Sequence, residues 1–289
     1  MANHIFTVDL EDWLQSSLEF YRGNPWPQER TQPTAAVRLN ALRLLVVLSR
    51  AGVKATWFVL GSVAERFRDL VLEVNRQGHE IGAHGFEHNL VYRLSPQQFR
   101  EDLRRVVGLL QGITGERVRG YRAPYFSITR QSAWALDILA EEGLAYDSSL
   151  FPIRRRLYGF PGTPPLPHRH PNGLIELPIT TISLGRIRLP LGGGGYFRMM
   201  PLVVFLRGYA RLEKAGNPIV FYMHPYELDA TAWKSPLPGE NLRFWLARHR
   251  QGFGRDSFEA RLNQLLTRFH FATASAWIED NLRPSDCWK

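Results

Sequence analysis

The segment Gly78-His79-Glu80-Ile81-Gly82-Ala83-His84-Gly85-Phe86-Glu87-His88 guides the interpretation of the whole chain. Its residues His84 and His88 lie four positions apart, so both imidazoles project from one face if the segment is helical. Two imidazoles at this spacing can bind one metal ion, and zinc takes neutral histidine nitrogens at about 2.0–2.1 Å. An isolated pair of this kind is more often a chance surface pair. A catalytic metal site also needs a third ligand, which must come from elsewhere in the sequence.

Short apolar segments alternate with amphipathic helical segments on both sides of this stretch. This order is typical of a parallel sheet covered by helices, and it predicts an α/β fold. The predicted strands are residues 5–10, 54–60, 80–83, 118–121, 175–182 and 218–223, with a short extended piece at 146–149. The predicted helices are residues 35–49, 63–77, 96–112, 129–142, 201–215, 258–269 and 275–281. Ser95 is the expected N-cap of the third helix, because Pro96 suits its first position.

Three segments between these elements are predicted to be loops. Residues 16–32 and 151–171 are rich in proline, and a proline lacks the backbone N–H that regular elements need. Residues 192–198 begin with four glycines, which indicates that the backbone turns tightly or comes close to another group. No lysine followed by serine or threonine comes after these glycines, so the segment is not a phosphate-binding loop.

The composition fits one domain with one large core, although two domains remain possible. The chain has 289 residues, of which 44% are hydrophobic and 22% are charged. The formal net charge is +9, but the basic residues are scattered, so nucleic-acid binding is not indicated. A basic surface suits an anionic glycan, a lipid diphosphate or a membrane surface, and it is also common without any specific partner. The single cysteine, Cys287, excludes an intramolecular disulfide.

The first residues and the hydropathy of the chain bear on its location. Residues 1–6 enter a strand-like segment without the basic and apolar regions of a signal peptide. No apolar stretch approaches the roughly 18 residues that a membrane-spanning helix needs. We therefore expect a cytoplasmic protein with possible peripheral contact at the inner membrane surface.

Polar side chains follow four of the predicted strands. They are Asp9 with Glu11 and Asp12, His84 with His88, Arg122 with Tyr125, and His224. Each has an ordinary explanation when considered alone, such as helix capping or a solvated surface position. The carboxyl ends of the strands of an α/β barrel form one face, however, and that face carries the active site. The four groups together therefore predict a single site.

The order and local sequence of these groups resemble the polysaccharide deacetylases, carbohydrate esterase family 4. That family has an aspartate-bearing first strand, a His-x-x-x-His motif, an Arg-x-Pro-Tyr motif and a late strand that ends in histidine. The resemblance extends over residues 6–225. It implies a distorted (β/α) barrel of about seven parallel strands. It also implies a divalent metal ion, most often Zn²⁺.

In the first motif this sequence departs from the family. Thr7-Val8-Asp9-Leu10-Glu11-Asp12 stands where the family has Thr-Phe-Asp-Asp-Gly, with a catalytic base followed by a metal ligand. The resemblance makes Asp9 the base, and Leu10 replaces the expected ligand. Glu11 is the first choice for the third ligand because it shares a strand face with Asp9. Asp12 is the second choice.

The other motifs match without change. The resemblance makes His84 and His88 the metal histidines and His224 the general acid. It implies that Arg122 orients or tunes the aspartate base, and that the backbone N–H of Tyr125 donates to the oxyanion. Asp147, in Tyr-Asp-Ser-Ser, is a candidate for holding the imidazole of His224.

A narrower resemblance concerns deacetylases found with bacterial exopolysaccharide and exosortase systems, which carry a C-terminal extension. The opening Val-Asp-Leu-Glu-Asp-Trp, residues 193–198 and residues 224–229 resemble this subgroup. We therefore predict one catalytic domain over residues 1–289, with residues 226–289 as an extension packed on it. The resemblance suggests that Arg198, Glu227 and Asp229 line the substrate groove, although the two acidic residues could equally form a surface turn. Trp13, Trp26 and Tyr196 are the aromatic candidates for an open groove.

Three functions are consistent with these residues. The first is a metal-dependent N-deacetylase that acts on an N-acetylated sugar in a glycan, glycolipid or lipid-linked precursor. The second is a related carbon-nitrogen hydrolase that acts on a small amide or cyclic imide in a closed pocket. The third is a catalytically silent glycan-binding protein that keeps the barrel.

Overall fold

The computed structural model describes residues 4–17, 32–155, 157–185, 187–231, 234 and 242–282. Most of the predicted loop 16–32, including Trp26, lies outside the described residues, and so does Cys287. No helix of the described residues is both long enough and apolar enough to cross a bilayer.

Eleven strands and eleven α-helices are described. The strands are β1 His4–Leu10, β2 Thr56–Val59, β3 Glu80–Ala83, β4 Gly120–Tyr121, β5 Tyr146–Asp147, β6 His168–Arg169, β7 Ile175–Glu176, β8 Thr181–Leu184, β9 Ile187–Pro190, β10 Val220–Met223 and β11 Phe271–Ala272. The helices are α1 Trp13–Ser17, α2 Ala35–Arg50, α3 Gly61–Arg66, α4 Arg68–Arg76, α5 Pro96–Thr114, α6 Trp134–Glu141, α7 Gly194–Met199, α8 Leu202–Lys214, α9 Leu242–Gly252, α10 Phe258–Arg268 and α11 Ala274–Asn281.

A curled sheet with mostly parallel strands organises the molecule. Its order is β10-β1-β2-β3-β4-β5-β7-β6, and the first seven of these strands run parallel. Strand β6 is antiparallel to β7 at one edge, and β11 pairs in parallel with the start of β1. Strands β8 and β9 form a separate hairpin. The predicted α/β fold with about seven parallel strands is confirmed, and the curled sheet forms a half-barrel.

Strand β1 shows how the sequence directs side chains to the two sides of this sheet. All seven of its residues are buried, and successive side chains of a strand point to opposite faces. Phe6, Val8 and Leu10 belong to the large core between sheet and helices, while Ile5 belongs to the smaller core inside the barrel. Asp9 has the same parity as Ile5, so its carboxylate lies on the inner side, at the carboxyl end of the strand.

Irregular segments close the barrel between β5 and β10, and they account for its distortion. The backbone N–H of Leu177 donates to the carbonyl of Asp147 over 2.8 Å. The N–H of Val220 donates to Oγ1 of Thr180 over 2.7 Å, and the N–H of Tyr222 donates to the carbonyl of Gly192, also over 2.7 Å. Side-chain and single backbone contacts therefore replace a continuous strand in this wall.

Three predicted elements are interrupted in the structure. The predicted helix 63–77 is two helices, α3 and α4, because Phe67 has a non-helical backbone (φ −127°, ψ 55°) and packs its ring against the core. The predicted helix 129–142 begins with a 3₁₀ turn, and α6 starts only at Trp134. The predicted strand 175–182 is divided between β7 and β8, because Pro178 cannot donate a ladder hydrogen bond.

The glycine-rich segment is partly helical, which the sequence did not predict. Gly193 forms a bridge with Tyr222 of β10, and α7 begins at Gly194. The expected close approach is confirmed: a Cβ on Gly193 would lie 2.6 Å from the ring of Tyr222. The glycines therefore let the start of α7 lie directly against β10.

The N-terminus of α5 agrees with its sequence signature. Oγ of Ser95 accepts the N–H of Gln98, and Oε1 of Gln98 accepts the N–H of Ser95. This reciprocal arrangement satisfies two N–H groups that the helix cannot satisfy itself. Helix α5 ends at Thr114, two residues beyond the predicted end, where Gly115 adopts φ 73°.

Candidate metal centre and active site

Three buried side chains meet at the carboxyl ends of β1 and β3. Glu11 follows β1, His84 follows β3, and His88 lies in the loop beyond it. One potential ligand atom from each lies within 4.8 Å of the other two. Oε2 of Glu11 is 2.5 Å from Nε2 of His88 and 3.7 Å from Nε2 of His84. One carboxylate and two imidazoles are a donor set that zinc accepts, with a further position left for water.

The local geometry fits a divalent cation. Nδ1 of His84 lies 2.7 Å from the carbonyl oxygen of Arg122. Because a carbonyl can only accept, Nδ1 carries the proton and Nε2 keeps its lone pair in the neutral ring. Among the described residues, Oε2 of Glu11 is buried and receives no hydrogen bond of acceptable geometry. Burial raises the pKa of Glu11, but the neighbouring histidines His88, His224 and His84 lower it well below its usual value. The ligand set is therefore one anionic oxygen and two nitrogens.

Between the two predicted third ligands, the structure favours Glu11. The carboxylate of Asp12 accepts hydrogen bonds from the N–H and hydroxyl of Thr34, at 2.9 and 2.6 Å, and from the N–H of Leu14 at 3.1 Å. Asp12 thus connects the start of α1 to the N-terminus of α2. The second-choice prediction is therefore wrong in this structure: Asp12 is engaged away from the histidines.

The histidine pair is not on a helix, which corrects the geometry expected from its spacing. His84 directly follows β3, Gly85 turns the chain with φ 73°, and His88 has φ 60°. Among the described residues, the non-glycine positions with positive φ are His88, Tyr125 and Phe126. All three lie in the two loops that border the site. Such residues are uncommon and cluster where structure serves a function.

Asp9 is held by a buried arginine beside this centre. Nη1 of Arg122 lies 2.7 Å from Oδ1 of Asp9 and 2.8 Å from Oγ1 of Thr7. The same guanidinium donates to the carbonyl and hydroxyl of Ser148 at 3.1 and 2.7 Å, and it lies 4.3 Å from the centre of the Phe58 ring. Both charged side chains are buried. Arg122 is therefore fixed by four polar contacts, and it leaves Oδ2 of Asp9 directed toward His224.

His224 completes the arrangement from the end of β10. Its Nε2 lies 3.2 Å from Oε1 of Glu11 and 3.9 Å from Oδ2 of Asp9, while its Nδ1 lies 3.5 Å from Oε2 of Glu227. Burial lowers the pKa of His224, but Glu11 and Glu227 raise it to about 10. A metal ion bound to Glu11 would compete with His224 for the Glu11 carboxylate. Glu227 would then be the carboxylate that favours the protonated form of the His224 ring. His224 is thus placed to donate a proton.

Asp147 does not hold His224, contrary to the sequence-based assignment. Its two carboxylate oxygens accept the hydroxyl and N–H of Ser149, at 2.6 and 3.0 Å. In the sheet it is the register partner of Glu176, and both carboxyl groups are buried. Burial and the neighbouring Glu176 raise the pKa of Asp147 well above its usual value, and burial raises the pKa of Glu176 to about 8. The carboxylate beside Nδ1 of His224 is instead that of Glu227, at 3.5 Å, and it accepts the backbone N–H of His224 at 3.1 Å.

This buried carboxyl pair predicts a pH dependence of stability. The pKa of Glu176 is higher in the folded state than in the unfolded state. The contribution of Glu176 to the free energy of unfolding is therefore full below the unfolded pKa of about 4.3 and is lost as pH rises through about 8. We expect Glu176→Gln to flatten the fall in the free energy of unfolding between pH 5 and about 9. Urea unfolding at both pH values measures this. An unchanged slope in the variant would contradict the assignment.

Two of the predicted substrate-binding residues, Tyr196 and Trp13, have different surroundings in the structure. Tyr196 is half-buried on α7, and its hydroxyl lies 2.9 Å from that of Tyr158. Trp13 is nearly buried and groups with Leu14 and Tyr226 rather than facing an open groove. Their roles toward substrate stay predictions.

Arg198 and Glu227 form a buried bridge behind His224. Nε of Arg198 lies 3.3 Å from Oε1 of Glu227, and Nη1 donates to the carbonyls of Arg250 and Phe253, at 3.3 and 2.7 Å. Arg198 is only 8% exposed. The sequence suggested that Arg198 and Glu227 line the groove together. In the structure Arg198 instead contacts Glu227, the carboxylate next to His224. The guanidinium of Arg198 is bonded to groups of the protein itself.

Several supporting residues carried no signal in the sequence. Thr7 and Ser148 bind the guanidinium of Arg122, and Tyr226 stacks on the ring of His224 with centroids 4.7 Å apart. Tyr226 lies two residues from His224, within the motif already considered. Ser148 lies within Tyr-Asp-Ser-Ser, where attention fell on the aspartate instead.

Two adjacent glycines give a sharp test of the Glu227 position. A Cβ on Gly194 would lie 1.9 Å from Oε2 of Glu227, whereas a Cβ on Gly195 would meet no atom within 4 Å. We expect Gly194→Ala to displace Glu227 and to lower catalytic activity by about 10- to 100-fold, because His224 loses its neighbouring carboxylate. Gly195→Ala, the matched control, should keep full activity. Equal activity of the two variants would argue against a role for Glu227.

Comparison with known proteins agrees with this geometry. Residues 36–145 match the family model described as polysaccharide deacetylase, and residues 148–279 match one described as a domain of unknown function, DUF3473. A solved structure from Mycobacterium smegmatis, described as a candidate polysaccharide deacetylase, superposes with a TM-score of 0.61 at 21% identity, covering 98% of this chain and 91% of that one. The allantoinase PuuE superposes with a TM-score of 0.62 at 16% identity, covering 98% and 92%.

Curated relatives share part of the sequence. The peptidoglycan deacetylase-like protein FGM2 of Gibberella zeae is 35% identical over 132 residues, which is 44% of this chain and 38% of that protein. The peptidoglycan deacetylase of Helicobacter pylori is 30% identical over 148 residues, which is 50% and 48%. The chain thus matches less than half the length of each. Residues 36–145 are thus similar in sequence to polysaccharide deacetylases, and the barrel has the fold of the two solved structures. The division at residue 226 stays a prediction.

Proposed function

We propose that the protein is a metal-dependent hydrolase that removes the N-acetyl group from an N-acetylated sugar. The observation that carries this proposal is the meeting of Glu11, His84 and His88 with the Asp9–Arg122 pair and His224 at one end of the barrel. The match of residues 36–145 to the polysaccharide deacetylase model and the deacetylase names of the curated relatives support it. The proposed ligands are those three residues, and the proposed ion is Zn²⁺.

The chain's own residues account for the water activation. A divalent ion bound by this ligand set supplies a water of lowered pKa and polarises the acetyl carbonyl. Asp9 would accept a proton from the attacking water, since Oδ2 remains available while Arg122 holds Oδ1. This pairing holds the carboxylate in place beside the proposed ligands.

The departing nitrogen needs a proton. His224 supplies it, because Glu227 favours the protonated ring and the stacked Tyr226 fixes its plane. The backbone N–H of Tyr125, a residue held at φ 55° beside His88, is proposed to donate to the tetrahedral oxyanion. Water attack and amine departure thus have separate proton carriers, Asp9 and His224.

The substrate class is proposed to be an N-acetylated sugar in a glycan, glycolipid or lipid-linked precursor. Residues 193–198 and 224–229, which resemble the exopolysaccharide-associated subgroup, meet through the Arg198–Glu227 contact, and this supports a place in that subgroup. A cytoplasmic location near the inner membrane is part of the same proposal, and cell fractionation checks it.

Acetate release from a substrate panel tests the proposal. The panel holds N-acetylglucosamine oligomers, a lipid-linked N-acetylated sugar, and a small cyclic amide. We expect release from at least one sugar substrate and no ring opening of the amide. Hydrolysis of the amide alone would replace the proposal with a small-amide hydrolase. Sugar binding without any release would make the protein a silent glycan binder.

A further inference from the structure

Most of the exposed large apolar side chains of the described residues lie on one part of the molecule. Ten such side chains are at least 36% exposed, and three of them are on α2. The other seven lie on α7, α8 and α9 or directly after them: Met199, Val203, Val204, Leu242, Trp245, Leu246 and Phe253. We call these seven the α7–α9 patch. Contiguous exposed apolar surface of this kind marks interaction sites.

The parts of the patch are joined in space. Arg198 of α7 donates to the carbonyls of Arg250 and Phe253, and a Cβ on Gly254 would lie 2.6 Å from the carbonyl oxygen of Arg198. The end of α7 therefore lies against the chain that follows α9. Leu242, Trp245, Leu246 and Phe253 recur at intervals of three, four and seven residues, so α9 presents an apolar stripe to solvent.

The patch is bordered by positive charge. The eleven residues of α9 include three arginines and a histidine but no acidic residue. On α8, Arg207, Arg211 and Lys214 are exposed, and none of them has an ion-pair partner among the described residues. On α2, by contrast, the two arginines nearest the exposed apolar residues are neutralised, because Arg38 pairs with Asp69 and Arg43 pairs with Glu259. Of the arginines of α2, only Arg50 at the end of the helix has no ion-pair partner among the described residues. Arg250 of α9 is also exposed and has no ion-pair partner among the described residues. Cations beside exposed Trp, Leu and Phe are typical of a surface that lies in an anionic membrane interface.

We propose that the α7–α9 patch is a docking surface for an anionic lipid bilayer. A second copy of the chain fits less well, since a symmetric contact would bring like charges together. The patch also lies close to the candidate active site. Phe253 binds Arg198, Arg198 binds Glu227, and Glu227 contacts His224, at 2.7, 3.3 and 3.5 Å. Docking would hold the candidate site at the level of lipid head groups.

Sedimentation with vesicles tests this surface without reference to catalysis. We expect wild-type protein to bind vesicles of phosphatidylglycerol and phosphatidylcholine, to release them at high salt, and to ignore pure phosphatidylcholine. The double variant Trp245→Glu, Phe253→Glu should weaken binding by about tenfold or more. The matched control is Leu39→Glu, Val46→Glu on α2, where exposed apolar residues are changed in the same way. This control should bind like the wild type.

Two outcomes would overturn the proposal. One is the absence of binding to anionic vesicles, or equal binding by the α9 double variant, in proteins shown by circular dichroism to be folded. The other is a wild-type dimer that the α9 substitutions convert to a monomer while vesicles bind neither form. That result would assign the patch to a second copy. Because acetate release does not enter the assay, its result is independent of the proposed function.

Discussion

The Asp9→Asn variant is expected to lose deacetylation by about 10²- to 10⁴-fold while it still binds metal. The asparagine keeps the size of the side chain but cannot accept a proton at neutral pH. Asp9 is not among the three proposed ligands, so the metal content should stay at the wild-type level. Acetate release and bound zinc, measured on the same preparation, separate the two effects.

Folding must be checked in this variant, because Arg122 loses its buried ionic partner. Breaking such a pair costs about 3–5 kcal/mol in typical cases. Three contacts of Arg122 remain, to Thr7 and to the carbonyl and hydroxyl of Ser148, and they limit the loss. Asp256→Asn, an exposed aspartate paired with Lys234, is the control and should leave activity unchanged. Asp9 is not the base if folded Asp9→Asn retains wild-type turnover.

The second large effect is expected for His84→Ala, which should lose both metal and activity. Removing one of three protein ligands weakens binding by more than the 10- to 100-fold seen when only a supporting contact is lost. The variant also removes the donor to the carbonyl of Arg122. Zinc titration monitored by calorimetry measures the affinity, and acetate release measures the consequence.

His270→Ala serves as the matched control, since His270 is exposed and follows α10. It should bind zinc and release acetate like the wild type. Full zinc affinity in His84→Ala would remove this residue from the ligand set. Loss of activity with full affinity would place His84 in a different role.

The parallel strands and the strand-end groups could be predicted from the sequence for a physical reason. Runs such as residues 5–10 and 218–223 are mostly apolar, as strands covered on both faces must be, and polar residues lie at or directly after their carboxyl ends. Parallel strands bring such ends to one face. Asp9, Glu11, His84, Arg122 and His224 are therefore found together although they are distant in sequence.

The sequence could not predict which acid assists His224. Glu227 reaches Nδ1 only because Gly194 leaves room for its carboxylate and Arg198 pairs with it from α7. Asp147 was the candidate that the sequence offered, but its side chain points to the opposite side of its strand from Tyr146, which lies in the barrel interior. Such preferences depend on tertiary contacts rather than on spacing.

The structure also shows how two histidines of the opening segment differ in their surroundings. His79 and His84 both belong to the opening segment, yet Nδ1 of His79 accepts the N–H of Ala55, and burial lowers its pKa to about 4. It precedes β3, whereas His84 follows it. The direction of the strand therefore separates a buried structural histidine from a proposed ligand.

Chelation and zinc reconstitution test the central claim most directly. Purified protein is assayed for acetate release from N-acetylglucosamine oligomers and a lipid-linked N-acetylated sugar, before chelation, after chelation and after zinc is restored. We predict release that the chelator stops and zinc restores, with about one ion bound per chain as expected for a single site. Release that persists in metal-free protein, or no release from either sugar by zinc-loaded protein, would contradict a metal-dependent sugar deacetylase.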